Sequence, residues 1–537
     1  MNFAFKPTIQ AFTVEEWGLL RVFIRRLFFV FTWLVCSVSY GAAQDVTLAP
    51  LNDDALRITG TLLGFDGDYY RVSSQYGEVT IDATSVTCTG PGCPSLTNFI
   101  SDVTIAGAAT IGEILMPALL QAYARKEGLA VRRIPKEDGQ FDLYLQDRQN
   151  EKDVAVFRFD IVETDVGFSA LLSNRADIVM ALRAIRPHET EVLEDAGFGN
   201  LEGPNRARVL ALDALVPMVA PQSHVTSISL ETIGAILAGD ITNWRDLGGP
   251  DSDITIHLRN PESGLAQGAM DRILAPMDKA LAAEVIRHRS DAALDAAVRA
   301  DPAAIGLGSH AQVRDARIPA LQSACGFAQT ANRTSIKSED YPLAAPLLLY
   351  IPQRRLPGLA RDFLAFTRSP GAQIVIRRAG LVDQAPESLP FALQGDRLAN
   401  AIAVAENLSD LQSLRQNLAH RLRITTSFRF SDDGQTLDTT SMSNVQQLAR
   451  ALEHGDFDEK RLLIAGFGNE SSPGTGSGLS SIQQAQAVKD ALQNAVSMRS
   501  DVLDAAEVMG FGSQMPLACD TTPMNRHVNR RVEIWID

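Results

Sequence analysis

Two short segments of this 537-residue chain place oxyanion-holding groups at the start of a helix. The first, Gly107-Ala108-Ala109-Thr110-Ile111-Gly112, follows the strand-like run Val103 to Ala106 and leads into Ile111 to Lys126, whose apolar residues recur at helical spacing. The free N–H groups and the positive dipole end of such a helix face whatever lies above the turn, which suits an anion. The Thr110 hydroxyl either caps the helix or reaches that anion. The second segment, Arg259-Asn260-Pro261-Glu262-Ser263-Gly264, follows the strand-like Ile254 to Leu258 and precedes another helical stretch. Arg259 offers a planar fork matched to a tetrahedral oxyanion, Ser263 a hydroxyl, and Gly264 a backbone that can be approached closely; the alternative is a surface arginine beside an ordinary helix start. Two such turns far apart in sequence suit a cleft between two lobes.

Reaction chemistry has little support. There is no Gly-x-Ser-x-Gly elbow, His-Glu-x-x-His pair or P-loop, and His188-Glu189-Thr190-Glu191 lacks the second His of a zinc site. Gly474-Thr475-Gly476-Ser477-Gly478 lacks dinucleotide spacing and reads as a loop. The expectation is a binding protein that is not an enzyme, with no cofactor and no metal. A formal net charge of -15 gives no long-range attraction to nucleic acid, so any anion has to be held by a local site. Cys88-Thr-Gly-Pro-Gly-Cys93 has a turn between its cysteines and is expected to form a disulfide; Cys325 and Cys519 are the other cysteines left once Cys36 is removed with a leader.

The elements that must position these groups fall into five stretches. Arg21, Arg25 and Arg26 precede the apolar run Leu27 to Val38 and the small residues Gly41 to Ala43, the layout of a cleaved signal peptide over 1–43. Residues 44–98 alternate apolar and polar positions between turns, which predicts a small β-rich module of three or four strands closed by the cysteine pair. Over 99–385, β-branched runs alternate with helical stretches, which predicts α/β lobes with mainly parallel sheets. Residues 386–420 read as a helical linker. Residues 421–537 read as β-α-β-α-β, with strands expected over Thr425 to Phe430, Arg461 to Gly466 and Arg531 to Ile536.

Ile105 to Thr110, Ala176 to Ala181, Gly239-Asp240-Ile241-Thr242-Asn243-Trp244-Arg245-Asp246-Leu247-Gly248-Gly249 and Arg259 to Gly264 together resemble the phosphate-binding proteins of ABC transporters. The resemblance implies an α/β two-lobed periplasmic binding protein that closes over phosphate or a similar small anion, with an ABC permease as partner. Carried over residue by residue, Thr110 matches a ligand hydroxyl, Thr164 another, Arg259 the phosphate-pairing arginine, and Ser263 with Gly264 the Ser-Gly pair. Leu182 stands where the family usually has Ser or Asp, and Leu265 where it usually has Thr; Arg183 adds a cation beside Leu182.

At the other end, Asn529 to Ile534, Gly510 to Pro516 and the element order resemble the OmpA-like peptidoglycan-associated domain, an α+β fold. In that family an Asp and an Arg grip diaminopimelate; here Asn469 and Gln484 stand at those places, so both charges are replaced by neutral amides. The combined expectation is a periplasmic phosphate- or oxyanion-binding protein held at the peptidoglycan or outer membrane. The alternative is a structural envelope protein whose lobes serve as an interaction module.

Overall fold

The computed structural model describes residues 45–51, 57–96, 98–137, 139–203, 205–323, 325–405, 408–431, 434–468, 479–498, 500–520 and 523–537. The leader expected over 1–43, the loop Gly474 to Gly478 and Asn469 lie outside the described residues. No helix among the described residues is long and apolar enough to cross a membrane. The chain forms two compact units, one through Phe99 and one from Ile100 to Asp537.

The first unit is a five-stranded antiparallel sheet of Asp45–Pro50, Ile58–Phe65, Tyr69–Ser74, Gly77–Asp82 and Val86–Thr89. Alternation along the strands sends Val46, Leu48, Tyr70 and Val72 inward to one small core. The sheet has one strand more than the three or four expected, and its fifth strand, Val86–Thr89, carries Cys88. Gly90 takes φ 124, where its missing Cβ would lie 2.5 Å from the Asp45 carbonyl oxygen, so only glycine makes this turn. The turn returns Cys93 to Cys88, and the two sulfurs are bonded.

The second unit is built on a ten-stranded sheet. Its order is Ile286–His288, Thr255–Arg259, Ala304–Ser309, Ala207–Val219, Ala344–Tyr350, Ile178–Ala181, Ser101–Gly107, Asp153–Ile161, Gln140–Asp147 and Leu129–Pro135. The thirteen-residue strand Ala207–Val219 is buried almost throughout. Its first part pairs with Ala344–Tyr350 and its last part with Ala304–Ser309, so it carries the chain from one lobe to the other. The expectation of mainly parallel sheets is corrected here. Strands joined through helices are parallel, as Ser101–Gly107 is to Asp153–Ile161 and to Ile178–Ala181. The hairpin-connected strands from Leu129 to Ile161 and the crossing strands are antiparallel, so the sheet is mixed.

The C-terminal sheet runs Ser388–Pro390, Leu422–Phe428, Arg531–Ile536, Leu462–Phe467, Glu507–Gly510. The helices Thr439–Glu453 and Ser481–Ala495 cover one face through Val445, Leu448, Val488 and Leu492. Segment 386–420 does more than link: Ser388–Pro390 is an edge strand, and Ala401, Leu414 and Leu418 of the next two helices pack against Leu463, Phe467 and Trp535 on the second face. The parallel strand Glu507–Gly510 escaped the sequence reading because its four residues have no clear alternation.

This sheet is docked on the residues that precede Ala344. Arg423 forks onto both Asp340 oxygens at 2.6 and 2.9 Å, and Ser427 Oγ donates to the Ser338 carbonyl at 2.6 Å. Gln329 Nε2 donates to the Leu517 carbonyl at 2.6 Å, beside a disulfide between Cys325 and Cys519. Burial alone would raise the Asp340 carboxyl, but Arg423 outweighs it and holds the group well below the usual carboxylate range.

Candidate anion-binding site

Thr164 opens the helix Thr164–Leu172 and is completely buried; its Oγ1 accepts from the Leu182 N–H at 3.3 Å. Across from it stands Gly264, where an added Cβ would lie 2.6 Å from Thr164 Oγ1 and 3.0 Å from Leu182 Cβ. Only glycine lets the two backbones approach this closely. Ser263, one residue earlier, is also completely buried, and its Oγ has no hydrogen-bond partner among the described residues. It precedes the helix Gly264–Ala269 without capping it. A buried hydroxyl left unmatched costs about 1–3 kcal/mol. The fold therefore holds an unsatisfied polar group where the chain brings a hydroxyl and a glycine from opposite lobes together.

Thr110 starts the neighbouring helical segment, a π-helical stretch Thr110–Leu115 that runs into Met116–Lys126. No side chain caps that start, so the capping alternative for Thr110 is not what the structure contains. Gly107, at φ 136, lets the turn press on the Met180 carbonyl, which also accepts from Ala108 N–H at 3.0 Å. Thr110 is buried and near this turn, but no hydrogen bond joins it to Thr164 or Ser263 among the described residues.

The two arginines are committed to groups that the sequence reading missed. Arg259 donates to Asp291, to Glu163 at 3.3 Å, and to the carbonyls of His288 and Arg289 at 3.3 and 3.0 Å. Burial pushes both the Glu163 and Asp291 carboxyls up, and Arg259 opposes the shift in each. Arg183 donates to Glu189 at 2.7 and 2.8 Å, to Asp165, and to Gln267 Oε1 at 2.6 Å. Burial disfavours its cation, but the Glu189 and Asp165 bonds outweigh this and keep it charged. The run Glu163-Thr164-Asp165 was the available signal: two acids flanking a ligand-type threonine at a helix start. Asp291 and Gln267 had none, being distant in sequence from the groups they meet.

Leu182, Gly264 and Leu265 line a cleft of about 1130 Å³ whose wall also includes Arg526 and Arg530 from the C-terminal domain. Leu182 and Leu265 thus present apolar surface where the resemblance implied Ser or Asp at 182 and Thr at 265. In the C-terminal domain Gln484 is buried with its Oε1 unpartnered among the described residues. Arg531 is completely buried, pairs with Glu533 at 2.6 Å, donates to the Asn529 and Met515 carbonyls, and lies 4.5 Å over the Phe467 ring. It braces the last strand, whereas its neighbour Arg530 faces the cleft.

A family model described as a PBP superfamily domain matches residues 74–370, and an OmpA family model matches residues 429–530. Among curated proteins, the phosphate-binding protein PstS of Bacillus subtilis is 29% identical over 164 residues, 30% of this chain and 52% of that protein. The phosphate-binding protein PstS of Borreliella burgdorferi is 28% identical over 116 residues, 22% of this chain and 38% of that protein. The chain thus spans about 52% and 38% of the length of these two relatives. The solved structure of an ABC-type phosphate transport receptor from Vibrio cholerae is 20% identical, covers 52% of this chain and 99% of that one, and has a TM-score of 0.39. With its binding-domain match extending over more than half of its length and an OmpA domain after it, the chain belongs to the PBP superfamily.

Proposed function

We propose that this protein binds phosphate or a similar oxyanion between its two lobes in the periplasm, and that its OmpA domain holds it at the cell envelope. The carrying observation is the buried Ser263 hydroxyl, unpartnered among the described residues, beside Gly264 and the Thr164 hydroxyl. Binding is the whole mechanism: lobe closure brings the anion to Thr110, Thr164, Ser263 and Gly264 with no covalent step. Arg259 serves as the cation when its carboxylate partners release a donor or take up a proton. An ABC permease is the natural recipient of the ligand. Thermal unfolding with and without phosphate tests the reading, since a ligand at about 100 times its Kd adds ~2.7 kcal/mol of stability. No shift with phosphate or sulfate counts against it.

The pairing of Arg259 with Asp291 and Glu163, and of Arg183 with Glu189 and Asp165, favours a second reading. In it the lobes no longer take an anion and act as an interaction module of the envelope. Attachment to the wall is tested by pelleting with purified sacculi. Gln484 is neutral and buried, so retention should be weak and rise little as salt is lowered. Strong, salt-sensitive pelleting would show that other residues supply the grip.

A further inference from the structure

The cleft that Leu182 and Leu265 share with the C-terminal domain is far from neutral. Arg272, Arg429, Arg526 and Arg530 line it, and none of them has a carboxylate within ion-pair distance among the described residues. Arg272 donates to the Pro342 carbonyl and, at 2.8 Å, to that of Ala344. Arg429 donates to the Glu339 carbonyl and, at 3.2 Å, to Ser427 Oγ; Arg526 reaches the Asp520 carbonyl at 3.3 Å. The Arg530 side chain makes no hydrogen bond among the described residues. In a chain of formal net charge -15, four guanidinium groups with no carboxylate at ion-pair distance among the described residues surround one cavity and form an anion-holding surface. The carboxyls on the same wall offset it only in part. Asp271 is already paired with Arg186 at 2.9 Å, leaving Glu339 and Asp438. Burial raises Glu339 to about 7, with Asp438 adding to the shift and Arg429 opposing it.

Size and polarity narrow the guest further. A cavity of about 1130 Å³ lies just above the range of pockets that enclose whole organic molecules, roughly 300–1000 Å³, and far exceeds a single oxyanion. Leu182, Leu265, Tyr341 and Val528 give it apolar wall between the charged groups. We propose that the cleft takes an organic molecule with two anionic groups, at least one a phosphoryl group, held jointly by the binding lobes and by Arg526 and Arg530 of the OmpA domain. This rests on the phosphate reading of the adjoining Ser263–Gly264 site and extends it. The leucines at 182 and 265 then face the body of the ligand.

Calorimetric titration of the full chain with inorganic phosphate, fructose 6-phosphate and fructose 1,6-bisphosphate tests it. The bisphosphate is expected to bind at least about tenfold more tightly than the other two, and the Arg526→Gln/Arg530→Gln variant to lose most of that preference. Should the variant not fold, a salt series on the unmodified protein decides. Raising NaCl from about 0.05 to about 0.5 M should shrink the preference, because the half-exposed arginines are screened. A bisphosphate that gains nothing over phosphate, or a preference untouched by both the substitutions and salt, overturns the proposal while leaving the phosphate reading standing. Failure of all three ligands to bind overturns both.

Discussion

Replacing Ser263 by Ala should move stability and binding in opposite directions. The substitution keeps Cβ, so it removes one oxygen and opens almost no space. That oxygen is completely buried and unmatched among the described residues, and deleting it relieves a desolvation cost of about 1–3 kcal/mol when no anion is bound. With phosphate bound, the same oxygen would make a hydrogen bond to a charged group, worth about 1.5–3 kcal/mol, so its loss weakens affinity roughly ten- to hundredfold. Urea unfolding without ligand and calorimetric titration with phosphate read the two effects separately. Thr164→Val supplies the contrast, because Thr164 Oγ1 already accepts from the Leu182 N–H and its removal strands that donor. Thr164→Val should therefore lose stability and affinity together. A Ser263→Ala protein that is less stable and binds phosphate as before would refute the reasoning, since the hydroxyl would then be structural.

Arg259→Ala should destabilise the fold by about 3–5 kcal/mol in urea melts, because the buried Asp291 and the half-buried Glu163 would be left without their cation. The loss should shrink on acidification, because protonation neutralises these two carboxyls. Glu339, raised to about 7 by burial, binds its proton in the folded state before it does so unfolded. Its stabilising contribution is thus fully present below about 4.5 and lost as pH rises to about 7, and Glu339→Gln should flatten that part of a stability profile measured against pH. Cys519→Ser opens the bridge to Cys325, which closes a loop of 194 residues, and should cost about 2–5 kcal/mol in the same melts. Equal stability of the Cys519→Ser protein would mean that the polar contacts alone hold the C-terminal sheet in place.

Much of the architecture was legible because it is written in local patterns. Helix-spaced apolar residues after Thr110, the alternation before Cys88 and the closing strand at Arg531 each follow from period and turn chemistry. The OmpA and PBP resemblances rest on similarly compact motifs. The site was legible only as a set of hydroxyls, glycine and arginines. What each arginine faces depends on partners 32 and 96 residues away for Arg259, and no local pattern encodes such a pairing. The same limit hid the role of segment 386–420: its helices look polar and free-standing until Leu463, Phe467 and Trp535 supply the surface they cover. It also hid the basic cleft, whose arginines are scattered from position 272 to position 530.

The Arg423–Asp340 fork bears on how such a chain could arise or be rebuilt. Each half of the protein contributes one member of a charge pair in which Arg423 is 1% exposed. Cutting the chain between the domains and opening the Cys325–Cys519 bridge would let both groups return to water at modest cost. Grafting another OmpA domain that docks in the same way but lacks an arginine at this strand position would instead seal Asp340 in without its counter-ion, at about 3–5 kcal/mol. The junction therefore tolerates separation better than exchange. Recombination that treats the two halves as interchangeable cassettes would yield chains whose parts fold but do not seat, unless position 340 changes in the same step.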